Sequence, residues 1–83
     1  MRFRIVRSAH RHKITATRIY AVLTNAGAPV VVPSSERGRR DVWWWVGADD
    51  RGVEWEIGGV VAAEDPELII IVHAMPTAFR RDG

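Results

Sequence analysis

Apolar and polar positions alternate at the beginning of the chain, where residues 2–6 predict a half-buried β-strand. The period then changes to that of a helix. Ser8 is suited to cap a short helix over residues 8–12, and Thr15 is suited to cap a second helix that ends near residue 25. In the second helix the apolar residues follow the three- and four-residue spacing of one buried stripe.

The second part of the chain has the pattern of strands joined by turns. Residues 30–32 lie between two prolines, which favours a short edge strand. Residues 41–46 and 53–61 predict a hairpin, with Gly58 marking a bulge or bend in its second strand. Residues 68–74 are apolar on both sides, which favours a central strand.

This order of elements predicts an α+β fold. An N-terminal strand and two short helices would pack on an antiparallel sheet of three to four further strands, with the helices on one face. A length of 83 residues indicates one domain over residues 1–83. A core of this size favours support from a partner protein or a homodimer.

The charge is unevenly distributed along the chain. Residues 1–41 hold nine Lys or Arg and two acids, a net charge of +7, whereas residues 42–83 have a net charge of −5. Eleven of the twelve cations are Arg, which binds phosphate as a bidentate fork. The distribution indicates a nucleic-acid partner, or alternatively two halves that neutralise each other in the fold.

The composition excludes several classes of site. The chain has no cysteine, so disulfides, thiolate metal sites and a cysteine nucleophile are ruled out. No apolar run has the length of a membrane span, and the first residues do not resemble a signal peptide. We therefore expect a cytoplasmic protein with no membrane contact and no cofactor.

The three histidines are the side chains best suited to proton transfer near neutral pH. His10 and His12 flank Arg11, and His73 lies near the end of the last strand. Such a set can cleave RNA, because one group deprotonates the 2′-OH, another protonates the leaving 5′ oxygen and an arginine stabilises the phosphorane charge. Spacing alone favours the alternative of two solvated histidines and one core histidine. A metal site is less favoured still, because residues two apart on a helix do not face each other.

Glu54 and Glu56 share one face of the predicted hairpin strand. A carboxylate there can act as a general base or orient a histidine, although such a pair is more often solvated. Glu56 is the better functional candidate because it lies closer to the middle of the sheet.

Four tryptophans are unusual in a domain of this size. On a strand, Trp44 faces away from Trp43 and Trp45, so at least one indole should meet a groove, a partner or nucleobases. Interface anchoring or packing between sheet and helix is favoured over base stacking.

Three segments together are typical of one family of small bacterial proteins. Residues 12–15, His-Lys-Ile-Thr, resemble its His-Gly-Ile-Ser/Thr opening, with Lys13 in place of the glycine. Residues 47–57 resemble its Gly-Pro-Asp-Arg hairpin, which is followed by a glutamate. Residues 72–76, Val-His-Ala-Met-Pro, resemble its Val-Ile-His-Ala-Met-Pro ending. In order and spacing the chain resembles the BrnT-like toxin components, within the broader RelE-like toxin fold.

The resemblance implies the toxin of a type II toxin–antitoxin module with a curved antiparallel sheet, a cognate antitoxin and RNA as its target, including mRNA on the ribosome. It implies catalytic roles for His12, Glu56, His73 and Arg80, with His73 or Glu56 as base and His12 as acid. The residues expected to bind RNA are Arg11, Lys13, Arg39, Arg40, Arg51 and Arg81. The alternatives are a protein-interaction module that uses exposed tryptophans and an RNA-binding domain without catalysis.

Overall fold

The computed structural model describes residues 1–33 and 40–79, and in these residues it has one α-helix and five β-strands. In chain order the elements are β1 (Arg2–Ile5), a first 3₁₀ helix (Arg7–His10), α1 (Ala16–Ala26), β2 (Val30–Val32), β3 (Val42–Ala48), β4 (Glu54–Ala62), β5 (Asp65–Pro76) and a second 3₁₀ helix (Thr77–Phe79). The predicted α+β class is confirmed.

The five strands form one sheet in the order β1-β5-β4-β3-β2. The pairs formed by β2, β3, β4 and β5 are antiparallel, as expected for the later strands. β1 instead pairs in parallel with β5, so the sheet is mixed and the N-terminal strand is one of its edges. The predicted positions of β2 at an edge and β5 in the interior of the sheet are confirmed.

Helix α1 begins and ends where the sequence predicts. The Oγ1 of Thr15 accepts a hydrogen bond from the backbone N–H of Arg18 at 3.2 Å and caps its N-terminus. Gly27 follows the last turn with a φ of 75°, a conformation that few other residues adopt at low cost. Ile19 and Val22 are fully buried, so the predicted apolar stripe is confirmed.

The expected helix over residues 8–12 is wrong. This segment forms a single 3₁₀ turn without a side-chain cap, and the Ser8 hydroxyl donates instead to the carbonyl oxygen of Val72 at 3.1 Å. A long-range partner has therefore replaced the local capping bond that the sequence suggested.

The core lies between α1 and one face of the sheet. Its buried members come from the helix, the segment before it and β3 to β5: Ala9, Ile14, Ile19, Val22, Trp45, Trp55, Ile57, Ile69, Ile71 and Ala74. No helix in the described residues is long and apolar enough to cross a membrane.

A one-residue irregularity changes which residues of β5 face this core. Gly58 pairs with His73 but Gly59 pairs with Ile71, so β5 has one extra residue at this point. Ile71 before the irregularity and Ala74 after it are both buried. His73 consequently faces away from the core, which strict alternation would not allow.

Candidate active site

The parallel pairing of β1 with β5 brings the first 3₁₀ helix alongside the later part of β5. Ile5 pairs with Ile71, and the next residue, Val6, donates its backbone N–H to the carbonyl oxygen of Ile71 at 3.1 Å. The Ser8 hydroxyl continues the contact one residue further along β5. Because parallel strands run in the same direction, residues that follow β1 meet residues that follow Ile71.

A cavity of about 200 Å³ lies at this junction. It is lined by Ser8, Arg11, His12, Val72, His73, Ala74 and Met75. Two candidate catalytic histidines and one candidate RNA-binding arginine therefore share one cavity. Pockets that enclose a drug-sized ligand start at about 300 Å³, so this volume favours part of a larger substrate over a whole small molecule.

His73 and Glu56 form a hydrogen-bonded pair. The Nε2 of His73 lies 3.1 Å from Oε1 of Glu56, and the two side chains are 37% and 12% exposed. Because a carboxylate accepts, Nε2 carries the proton in this contact and Nδ1 is the nitrogen that can accept one from a substrate. Glu56 thus orients the imidazole, as carboxylates do in catalytic triads.

His12 reaches the cavity from the turn that precedes α1. Its imidazole contacts the ring of Phe79 edge to face, with centroids 5.4 Å apart. The next residue, Lys13, has a φ of 61°, a left-handed conformation that favours glycine. His10 has a structural role instead, because its Nδ1 donates to the carbonyl oxygen of Ile14 at 2.6 Å.

Exposed cations lie on β1 and on the segment after it, which leads to the cavity. Arg4, Arg7, Arg11 and Lys13 form no ion pair with any residue in the described part of the chain. They come from β1 and the turn after it, and all four are exposed. This strip of cations suits a phosphate backbone that approaches the cavity from the β1 edge.

The four tryptophans divide between the two faces of the sheet. Trp45 and Trp55 are buried in the core, and Trp43 packs against Trp45 with ring centroids 6.2 Å apart. Trp44 lies on the other face and contacts His73, with centroids 5.4 Å apart. Trp43 and Trp44 are half-buried, so part of each residue remains accessible.

Two other predicted RNA-binding residues, Arg40 and Arg51, do not line this cavity. Arg51 lies in the β3–β4 turn, where its guanidinium is 3.6 Å from the carboxylate of Asp49. Arg40 lines a second cavity and donates to the carbonyl oxygen of Val61 at 3.0 Å. Arg39 and Arg81, which were also predicted to bind RNA, and Arg80, which was predicted to be catalytic, lie outside the described residues.

Asp49 is a buried acid that sequence analysis places only in a turn. Its carboxylate accepts from the backbone N–H groups of Arg51 and Val53 at 2.8 and 3.0 Å, and from the indole N–H of Trp55 at 3.0 Å. Burial by itself raises the pKa of Asp49, but these hydrogen bonds and the nearby Arg51 charge outweigh it and lower the pKa below 3.8. Asp49 therefore fixes the hairpin turn as an anion.

Comparisons with protein-family models, curated proteins and solved structures found no match. The toxin family thus stays a prediction from the sequence motifs. Within residues 1–33 and 40–79 no three His, Asp or Glu side chains are grouped so as to hold a metal ion.

The cavity combines a carboxylate-oriented imidazole, a second imidazole and an arginine, which is the set that acid–base cleavage of a phosphodiester needs. The hydrogen bond from Ser8 to Val72 and the contact between Phe79 and His12 were not predictable from the sequence. Neither has a local pattern, since each depends on a residue more than sixty positions away.

Proposed function

We propose that the chain is an endoribonuclease that works without a metal ion, as the toxin of a bacterial type II toxin–antitoxin module. The observation that carries the proposal is the shared cavity of His12, His73 and Arg11, with Glu56 bonded to His73. The toxin-like motifs in residues 12–15, 47–57 and 72–76 are further support from the sequence.

In the proposed reaction His73 removes the proton from a ribose 2′-OH while Glu56 stabilises the resulting imidazolium. The 2′ oxygen bonds to phosphorus as the bond from phosphorus to the 5′ oxygen breaks. His12 donates a proton to that leaving oxygen, and Arg11 offsets the charge on the phosphorane. The products are a 2′,3′-cyclic phosphate and a 5′-hydroxyl end.

The biological form of the proposal is a toxin that cuts mRNA and so inhibits translation, held inactive by an antitoxin encoded beside it. The cationic strip from Arg4 to Lys13 is the surface that RNA and an acidic antitoxin would both use.

The test is expression of the chain without a partner in a bacterium, with growth and cellular RNA followed over time. We expect growth arrest and fragmented mRNA with the wild type, and neither with His73→Ala. Normal growth and intact RNA in cells that contain the folded wild-type protein would contradict the proposal. RNA binding that weakens steeply with salt, without cleavage, would indicate the non-catalytic RNA-binding domain instead.

A further inference from the structure

Trp44 lies on the face of the sheet opposite α1, at a position that the strand register defines. In the strand register Trp44 pairs with Gly58, and Gly58 pairs with His73, so the three residues form one row across β3, β4 and β5. Because directly paired residues point to the same face, the indole and the imidazole are neighbours across a residue without a side chain.

The indole of Trp44 packs directly against the backbone of Gly58. A Cβ atom added at Gly58 would lie 2.8 Å from Cζ3 of Trp44 and 3.1 Å from its Cη2. Contacts this short mean that the benzene part of the indole rests directly on the strand backbone. The backbone of β4 thus supports one side of the ring, and Trp44 remains only half-buried.

The imidazole of His73 stands against this ring. The two ring planes meet at 77° with centroids 5.4 Å apart, and Nε2 of the same imidazole is held by Glu56. The indole of Trp44 therefore lies next to His73, the base of the proposed reaction. His73 links the indole to the cavity that Arg11 and His12 line.

We propose that Trp44 is a stacking platform for the nucleobase of a nucleotide next to the scissile phosphate, and that the substrate is therefore single-stranded RNA. This inference rests on the proposed function. A base stacks on an aromatic side chain only after it leaves its own helical stack, which loops and single strands permit and duplexes resist. Stacking of this kind is tolerant of sequence, because every base has a π face.

An RNA strand fits this place better than an apolar protein segment. The row of Trp44, Gly58 and His73 adjoins, through the cavity, the exposed Arg11. An apolar segment would leave this arginine without a partner, whereas a nucleotide supplies a base for the indole and a phosphate for the arginine.

The test measures binding of a labelled single-stranded 2′-O-methyl oligonucleotide, which lacks the reacting hydroxyl and so reports binding independently of cleavage. We expect Trp44→Leu to weaken binding by about tenfold or more and Trp44→Phe to retain most of the affinity. Trp43→Leu is the matched control, because Trp43 is the adjacent residue on the opposite face, and its affinity should equal that of the wild type. The same oligonucleotide in a duplex should bind more weakly than the single strand.

Thermal unfolding of each variant checks that it is folded. A scan of abasic nucleotides with the wild-type protein repeats the test without any variant, and affinity should fall at one position. Equal binding by Trp44→Leu and the wild type, or a flat abasic scan, overturns the platform even if RNA is cleaved. Binding that depends on Trp44 with no cleavage of ordinary RNA overturns the proposed function and leaves the platform standing. No binding by the folded wild type overturns the platform.

Discussion

At the residue scale, the hydrogen-bonded side chains of His73 and Glu56 differ in exposure and therefore in their proposed roles. The imidazole is partly exposed and borders the cavity, whereas the carboxylate is mostly buried behind it. In the proposed reaction Glu56 therefore acts through His73, as a positioning residue, and His73 receives the proton of the substrate.

Substitution of Glu56 tests this division. Glu56→Gln should lower kcat for RNA cleavage, because an amide stabilises the imidazolium less than a carboxylate does, and should have no further effect in a His73→Ala background. Glu54→Gln is the matched control, since Glu54 lies on the same strand face and bonds to Thr77. His73→Ala alone should lower the rate by about 10²–10⁴. An additional loss in the double variant would mean that Glu56 contacts the substrate directly.

Asp49 gives a prediction about pH and stability. Its pKa is lower in the folded protein than its ordinary value of 3.8, so its contribution to stability is present above that value and is lost as the pH falls through the folded pKa. Urea unfolding at neutral and acidic pH measures the effect. At neutral pH the wild type should have a higher free energy of unfolding than Asp49→Asn, and this difference should shrink at acidic pH. A difference that does not change with pH would contradict the lowered pKa of Asp49.

The position of His73 shows the limit of residue patterns. Residues 68–74 are apolar on both sides, which correctly predicts an interior strand, but strict alternation counted from Ile69 and Ile71 assigns His73 to the core. The extra residue opposite Gly58 and Gly59 reverses that assignment. The glycines predict a bulge in β4, whereas the extra residue lies in β5, because which strand carries it depends on a pairing that no local pattern contains.

At the element scale, the parallel pairing of β1 with β5 is what assembles the site. In an antiparallel pairing, the chain after Ile5 would run toward the start of β5 and away from His73. The strands and the helix α1 were predictable from periodicity and capping residues. The direction of β1 was not, because a four-residue strand carries no information about a partner more than sixty residues away.

The contact of α1 with β3 depends on Gly47. A Cβ atom there would lie 2.8 Å from the Cα of Ala26 and 3.0 Å from its backbone nitrogen, so the end of the helix would have to move. Gly47→Ala should lower the free energy of unfolding by about 1–3 kcal/mol. Gly58→Ala is the comparison, because its close contact is the far end of the Trp44 side chain. Denaturant unfolding should show the larger loss for Gly47→Ala, and the reverse order would contradict this packing.

At the scale of the whole molecule, the uneven charge has two consequences. Some cations of the first half do pair with acids of the second, as Arg2 does with Asp65 and Arg18 with Asp50 at 3.2 Å. Such exposed pairs contribute about 0–1 kcal/mol each. The cations from Arg4 to Lys13 stay unpaired within the described residues and continue to the cavity. Charge counts along the sequence left both outcomes open, because only the fold decides which cations meet an acid.

The account as a whole depends on acid–base cleavage of RNA in the cavity of His12 and His73. The most direct measurement is cleavage of single-stranded RNA by the purified protein in the presence of EDTA, with identification of the new ends. The account predicts 2′,3′-cyclic phosphate and 5′-hydroxyl ends with the wild type and almost none with His73→Ala. Intact RNA after incubation with the folded wild type, or equal cleavage by His73→Ala, would contradict it.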